Sequence, residues 1–364
     1  MSPRKVGYIP GGLMLLVTLF LSSTMAVGEA TSSSAAQQGE GSVQSVASSG
    51  EISIKHWDLP KPNSLPQDLF VSRRDGSVWF SAPGVNALGR FDPKTQKFEE
   101  IRLRPESDPY RLVEHAGSGV QSRLFFSSHT GGFIAEYDSH ARELRELRIQ
   151  GGKMLLHDLS FDPNGVIWFT IMKPKPPQYP QGSKVGFVNL FTSEIKLAAV
   201  PGRSSNPYSL AVTSKGTPFF SDLGAPKLLS IHPVTMKITE HKLPSRKSGV
   251  MNLTITPDDR IWFTDNARGY IGCFNPETGT FDEWASPGGP TSSPSAITNA
   301  GKVIWYSEAG TGHLVRFDTE TKRFQMWTVQ NAKQIEQLYA NNDGSVWFAL
   351  PKANQLVRVT VNQK

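Results

Sequence analysis

The 364-residue chain has a single cysteine, Cys273, within the run IGCF. One cysteine excludes an internal disulfide, so packing and chain topology must hold the fold together. Beyond the first thirty residues there is no long apolar run and no helical periodicity, and so no candidate spanning helix in the body of the chain. A strong charge of one sign is also missing. Lys plus Arg number 38 and Asp plus Glu 32, a net charge of +6. Basic pairs such as Arg73-Arg74 and Arg246-Lys247 fall in turn-like stretches, so no nucleic-acid partner is expected.

What is present is repetition. DGSVWF stands at residues 75–80 and again at 343–348. Between the copies lie SRLFF, GVIWF, GTPFF, DRIWF and KVIWY, and the central aromatics are Trp79, Phe125, Trp168, Phe219, Trp262, Trp305 and Trp347. Successive spacings of 46, 43, 51, 43, 43 and 42 residues mark a repeat architecture. Each unit has an apolar run, an Asp/Asn/Gly-rich turn and the aromatic run. A third run such as LGRFD or IGCFN follows, then a turn such as DPKTQK, and then a fourth run. Four short runs joined by polar turns read as a four-stranded antiparallel meander. Seven units begin this way, but the chain stops at VRVTVNQK before a seventh fourth strand. The missing strand is supplied by ISIKHWDLP at 52–60. The expectation is an all-β, seven-bladed β-propeller over residues 51–364, its last blade completed by the N-terminal strand, which removes open sheet edges.

The first thirty residues differ. A head with Arg4 and Lys5, the apolar GGLMLLVTLFL and the small residues SSTMAVGEA predict a signal peptide over 1–30. A secreted or periplasmic protein is expected, with no stable membrane insertion after cleavage. Residues 31–50 are a low-complexity lead-in, and KPKPPQYPQGS at 173–183 is one long insertion.

The repeating unit, best seen in IWFTDNARGYIGCFNPETGTFDEW at 261–284, resembles the streptogramin lyase family, the virginiamycin B lyase-like propellers. The recurring Trp-Asp of WD repeats and the double glycines of kelch repeats are absent. The resemblance implies seven blades and a magnesium-dependent elimination that opens a cyclic depsipeptide, using His and Glu residues of the last two blades. The positions that would carry them hold Ser295, then Gln334, Ile335 and Glu336, then Leu350 or Pro351. The family's catalytic set therefore does not transfer.

Equivalent positions of the units still define a mouth. The start of each apolar run gives Gln67, Tyr110, His157, Tyr208, Met251, Ser295 and Glu336; the end of each aromatic run includes Asp222, Asp265 and Glu308. His157 and Glu336, from blades three and seven, are the candidate catalytic pair facing each other across the channel, since an imidazole exchanges protons near neutral pH. Gln67, Tyr110, Tyr208, Ser295 and His129 are candidate substrate-binding residues. Asp222, Asp265 and Glu308 form a candidate arc for Mg²⁺ or Ca²⁺, hard ions that prefer oxygen ligands. The other six histidines have no carboxylate partner near them in sequence. Two readings are open: a lyase or an ester- or lactone-cleaving enzyme with a rearranged site, and a non-catalytic propeller that binds a ligand or protein. In either, the partner is a small ester-, lactone- or peptide-like ligand at the mouth of a monomer.

Overall fold

The structure is a computed structural model that describes residues 51–115, 123–150, 154–172 and 182–362. The expected signal peptide, the low-complexity lead-in and most of the Pro-rich insertion lie outside these residues. The described residues hold 28 strands in seven four-stranded antiparallel sheets. Their helical content is two short 3-10 turns, Pro83–Val85 and Ala332–Gln334. No helix among them is long and apolar enough to cross a membrane.

The innermost strands of blades one to seven are Leu69–Val71, Pro109–His115, Leu155–Phe161, Pro207–Val212, Val250–Ile255, Pro294–Ala300 and Tyr339–Ala340. Each packs on the next, and the seventh packs on the first. Ring closure follows the expected route. Strand Ile52–Asp58 is the outermost strand of the seventh blade and pairs with Gln355–Val361, in register from Ile52 opposite Val361 to Asp58 opposite Gln355.

The aromatic doublets follow from strand geometry. Neighbouring side chains on a strand point to opposite faces, so one doublet serves two seams. Trp262 joins the buried cluster shared with blade six, containing Ile304, Tyr306 and Phe317. Phe263 joins the cluster shared with blade four, containing Phe219, Leu228 and Leu253. The same division repeats round the ring, giving seven clusters for seven seams. Middle strands such as Ile261–Asp265 are therefore buried throughout, whereas the outer strand Thr280–Ala285 alternates. Gly272 lies beneath the second aromatic of its blade, where a Cβ would overlap the Phe263 ring.

The duplicated DGSVWF is one local solution used twice. Asp75 Oδ1 accepts from the Ser77 amide and hydroxyl, while Oδ2 takes Arg90 at 2.8 Å. Asp343 does the same with Ser345 and with Arg358, also at 2.8 Å. Each arginine then lies over the tryptophan of its own hexapeptide, Trp79 at 5.9 Å and Trp347 at 5.7 Å. Closure brings the two blades together, and the Tyr339 hydroxyl donates to the Val71 carbonyl at 3.1 Å.

Candidate functional site

The mouth is built on β-bulges. In blades two to six the innermost strand loses register near its start, between Pro109 and Leu112, Leu156 and Leu159, Pro207 and Leu210, Val250 and Leu253, and Pro294 and Ile297. A bulge re-aims the side chains it carries. The residues set free are Tyr110-Arg111, His157-Asp158, Tyr208-Ser209, Met251-Asn252 and Ser295-Ala296.

Hydroxyls hold these bulges. The Thr170 Oγ1 accepts from the Asp158 amide at 3.1 Å and donates to the Tyr208 carbonyl of the next blade at 2.8 Å. Ser221 links Ser209 to Met251, and Thr264 links Asn252 to Ser295, in the same way. Ser81, Ser127 and Ser307 accept from their own bulge or strand amides. All six are fully buried, and Ala349 stands at the seventh position. The Ser or Thr after each aromatic doublet thus satisfies backbone groups that a bulge would leave unpaired.

Of the first member of each bulge, three are aromatic and meet. The Tyr110 ring stacks on His129 with centroids 4.6 Å apart and reaches His157 at 5.1 Å; His157 packs on Tyr208 at 3.9 Å. His157 is 3 % exposed, and its Nδ1 lies 3.1 Å from the Tyr208 carbonyl. That acceptor places the proton on Nδ1 and leaves Nε2 as the basic nitrogen. Burial pushes the imidazole pKa down to about 4, with Asp158 opposing, so the ring is neutral at pH 7. His129 Nδ1 approaches the Leu156 carbonyl at 3.2 Å. Burial pushes Glu336 up, Lys352 opposing. Burial also raises Tyr110 and Tyr208, and the field of Glu336 adds to both, which places Glu336 within electrostatic reach of the two rings. On the other side, the Ser295 hydroxyl reaches Met251 Sδ at 3.6 Å. Gln67 is half-buried at the start of the first blade, its amide on the Ser81 carbonyl.

The second member of the bulges carries a network that sequence reading missed. Arg111 Nε lies 2.6 Å from Asp158 Oδ1, and its NH1 lies 3.3 Å from Asp68 Oδ1. Each carboxylate also accepts from the next blade: Asp68 from the Leu112 amide at 2.8 Å, Asp158 from Leu210 at 2.7 Å. Burial opposes the charge on Arg111, but Asp158 and Asp68 outweigh it and hold the guanidinium above its usual range. Burial raises Asp68 despite Arg111. The signal for this triad is Asp, Arg, Asp at one position of three successive repeats, inside otherwise apolar runs.

The three candidate metal ligands are placed otherwise than expected. Each closes the loop at the end of its own blade. Asp222 Oδ1 accepts from the Asn206 amide at 2.7 Å and the Gly224 amide at 2.9 Å, with Lys227 Nζ 3.7 Å from Oδ2. Asp265 accepts from the Gly249 amide at 2.9 Å and from Arg268 Nε at 2.7 Å. Glu308 accepts from Ser286, from the Gly288 amide and from Thr311, and pairs with His313 at 2.9 Å. That last pair corrects the expectation that His313 lacks a nearby carboxylate. Among the described residues no group of three or more His, Cys, Asp or Glu is placed to hold a metal. The Asp265 and Glu308 oxygens are taken by amides, hydroxyls and charged neighbours, Asp222 Oδ2 has only Lys227 near it, and the three turn to separate loops, so they do not converge into a fit for Mg²⁺ or Ca²⁺. Asn252, in the glycosylation-like run Asn252-Leu-Thr254, is buried and donates to the Ser295 carbonyl.

Seven four-stranded blades, each packed on the next around a ring of bulges, define a seven-bladed β-propeller. Residues 193–364, a little under half of the chain, match the model of the Virginiamycin B lyase family. A streptogramin B lyase structure is similar at 22 % identity and a TM-score of 0.74, covering 85 % of this chain and 98 % of that one. A virginiamycin B lyase from Staphylococcus aureus gives 22 % identity and 0.74, covering 86 % and 100 %. YCF48 bound to D1 peptide gives 14 % identity and 0.63, covering 85 % and 96 %. These likenesses establish the fold. No curated protein sequence matches this one.

Proposed function

We propose that this protein is a ligand-binding propeller whose mouth receives a small ester-, lactone- or peptide-like molecule on the Tyr110–His157–Tyr208 face. The observation that carries the reading is the cluster itself. Three blades use their bulges to bring aromatic rings together, a half-buried Tyr110 against the buried His157 and Tyr208, near a half-buried glutamate, a mixture of apolar rings and few polar groups suited to such ligands. Two structurally similar propellers support it: a catalytically inactive virginiamycin B lyase from Staphylococcus aureus with quinupristin, and YCF48 bound to D1 peptide. The charged head and short apolar core at the N-terminus support export to the periplasm or beyond.

A second reading is favoured by one observation. The His157 imidazole is neutral, with Nε2 as its basic nitrogen, so it has the protonation state needed of a base in ester elimination or hydrolysis. Glu336, raised by burial, would be the proton donor. No step in either reading passes through a metal.

One experiment separates them. Purified protein is titrated calorimetrically with a panel of cyclic depsipeptides, lactones and short peptides, and the same mixtures are assayed for product with EDTA and with added Mg²⁺. Binding without turnover, lost in Tyr208→Ala, is the expected result. Turnover abolished by His157→Ala would establish the enzyme reading instead. Binding that survives Tyr208→Ala would overturn the site.

A further inference from the structure

At the position just after each mouth residue, three blades follow one rule and blade two breaks it. The side chain there accepts from the amide at which the next blade regains its register. Asp68 takes the Leu112 amide at 2.8 Å, Asp158 takes Leu210 at 2.7 Å and Ser209 takes Leu253 at 3.1 Å. Blade two has Arg111 at this position, and a guanidinium has no acceptor to offer. Blade three therefore serves itself, the Leu159 amide donating to Asp158 Oδ1 at 2.8 Å. Arg111 forms a bridge instead. Its Nε lies 2.6 Å from Asp158 Oδ1 in the blade after it, and its NH1 lies 3.3 Å from Asp68 Oδ1 in the blade before it.

A second observation places that bridge where another link is weak. At three seams the hydroxyl after the aromatic doublet donates to the mouth residue of the next blade at hydrogen-bonding distance: Thr170 to the Tyr208 carbonyl at 2.8 Å, Ser221 to Met251 at 2.7 Å and Thr264 to Ser295 at 2.8 Å. Between blades two and three the same link, from Ser127 to the His157 carbonyl, is stretched to 3.5 Å, beyond the ordinary range for a hydroxyl. The Arg111–Asp158 pair spans this seam. Both carboxylates are buried, so they would repel one another without the cation between them. The planar guanidinium also holds its two acceptors in fixed directions, which an ammonium does not. Tyr110 and His157 are the residues immediately before Arg111 and Asp158, and their ring centroids are 5.1 Å apart.

We propose that Arg111 is the positioning residue of the mouth: its two ion pairs, in place of a hydroxyl, set the spacing of Tyr110 and His157 on which the fit of a ligand depends. The proposal rests on the reading of the mouth as a ligand site. Arg111 acts through the two rings and does not itself meet the ligand. The seam between blades three and four, tied by Thr170, keeps His157 on Tyr208 without it.

The test compares the full chain with Arg111→Met, Arg111→Lys and the triple variant Asp68→Asn, Arg111→Met, Asp158→Asn, all well below their melting temperatures. Asparagine can still accept from the Leu112 and Leu210 amides, so the triple variant decides the matter should Arg111→Met, with two bare buried carboxylates, fail to fold. NMR reads the cross-peaks between the Tyr110 and His157 rings and between the His157 and Tyr208 rings. Calorimetry reads the affinity for N-acetyl-tyrosine ethyl ester, a small ester with a peptide bond. The Tyr110–His157 cross-peak is expected in wild type and should be lost in every variant, while the His157–Tyr208 cross-peak persists. Affinity for the ester should fall about tenfold, the scale on which neighbouring side chains couple. A Tyr110–His157 cross-peak retained in Arg111→Met or in the triple variant would overturn the proposal. Full recovery in Arg111→Lys would do so too, by reducing the role to charge balance, as would loss of both cross-peaks together, the mark of general loosening. A wild type that does not bind the ester would count against the ligand reading, while the cross-peaks still decide what Arg111 positions.

Discussion

Thr170 carries more than its size suggests. Its hydroxyl serves the Asp158 amide and the Tyr208 carbonyl at once, in a buried place with no water to replace it. Thr170→Val keeps the shape and removes the donor and acceptor. A loss of about 1–3 kcal/mol is expected in urea unfolding, the usual cost of stranding buried polar groups; an unchanged midpoint would show that the hydroxyl is not needed. His157 gives a pH signature. Its folded pKa of about 4 lies below the ordinary 6.5, so the unfolded chain binds the extra proton first. Stability from this group is therefore complete above pH 6.5 and lost as pH falls towards 4, about 3 kcal/mol in all. The stability difference between wild type and His157→Gln should shrink by that amount over the same interval. A constant difference would mean the ring is not buried and neutral as described.

At the scale of the strand, much was legible and some was not. Period-two burial and one aromatic doublet per unit gave the blade count, because a doublet must serve two seams. The closing strand was legible because the strand count was short at one end and had a spare at the other. The bulges were not: the chain PYSLAV reads as a plain apolar run, and only the pairing shows that Tyr208 and Ser209 fall out of register. Hence the sequence shows the members of the aromatic cluster only as separate residues, and the Asp68–Arg111–Asp158 triad emerges only from the pairing. The carboxylates Asp222, Asp265 and Glu308 are equivalent in sequence, but each turns to the loop of its own blade, so equivalence does not gather them as it gathers Tyr110, His157 and Tyr208. The closing strand can be tested by one residue. Trp57 stacks on Trp347 at 5.3 Å and meets Phe91 at 5.1 Å. Trp57→Ala should cost about 2–3 kcal/mol, under the range for a fully buried tryptophan; thermal melts would show it.

For the whole molecule, closure makes the first blade depend on the last. Asn354 ties the seam by accepting from the Ser64 amide and donating to the Leu59 and Lys61 carbonyls. Moving residues 51–60 to follow residue 362 would let the seventh blade finish as a simple hairpin, since Ile52 lies opposite Val361. Every strand pair would survive, but no chain would cross the seam. The permuted protein should melt at lower temperature, with faster amide exchange at Leu69–Val71 and Tyr339–Ala340 than elsewhere. Equal melting would mean that packing alone closes the ring.

The same closing strand also fixes an order in time. Asp58 and its partner Gln355 are 297 residues apart, so the ribosome makes one edge of the last blade long before the other. Throughout that interval Ile52–Asp58 is an unpaired edge looking for a mate. Any chain whose synthesis is cut short keeps that edge bare, and so advertises its own incompleteness to chaperones and proteases. The finished chain alone can hide it.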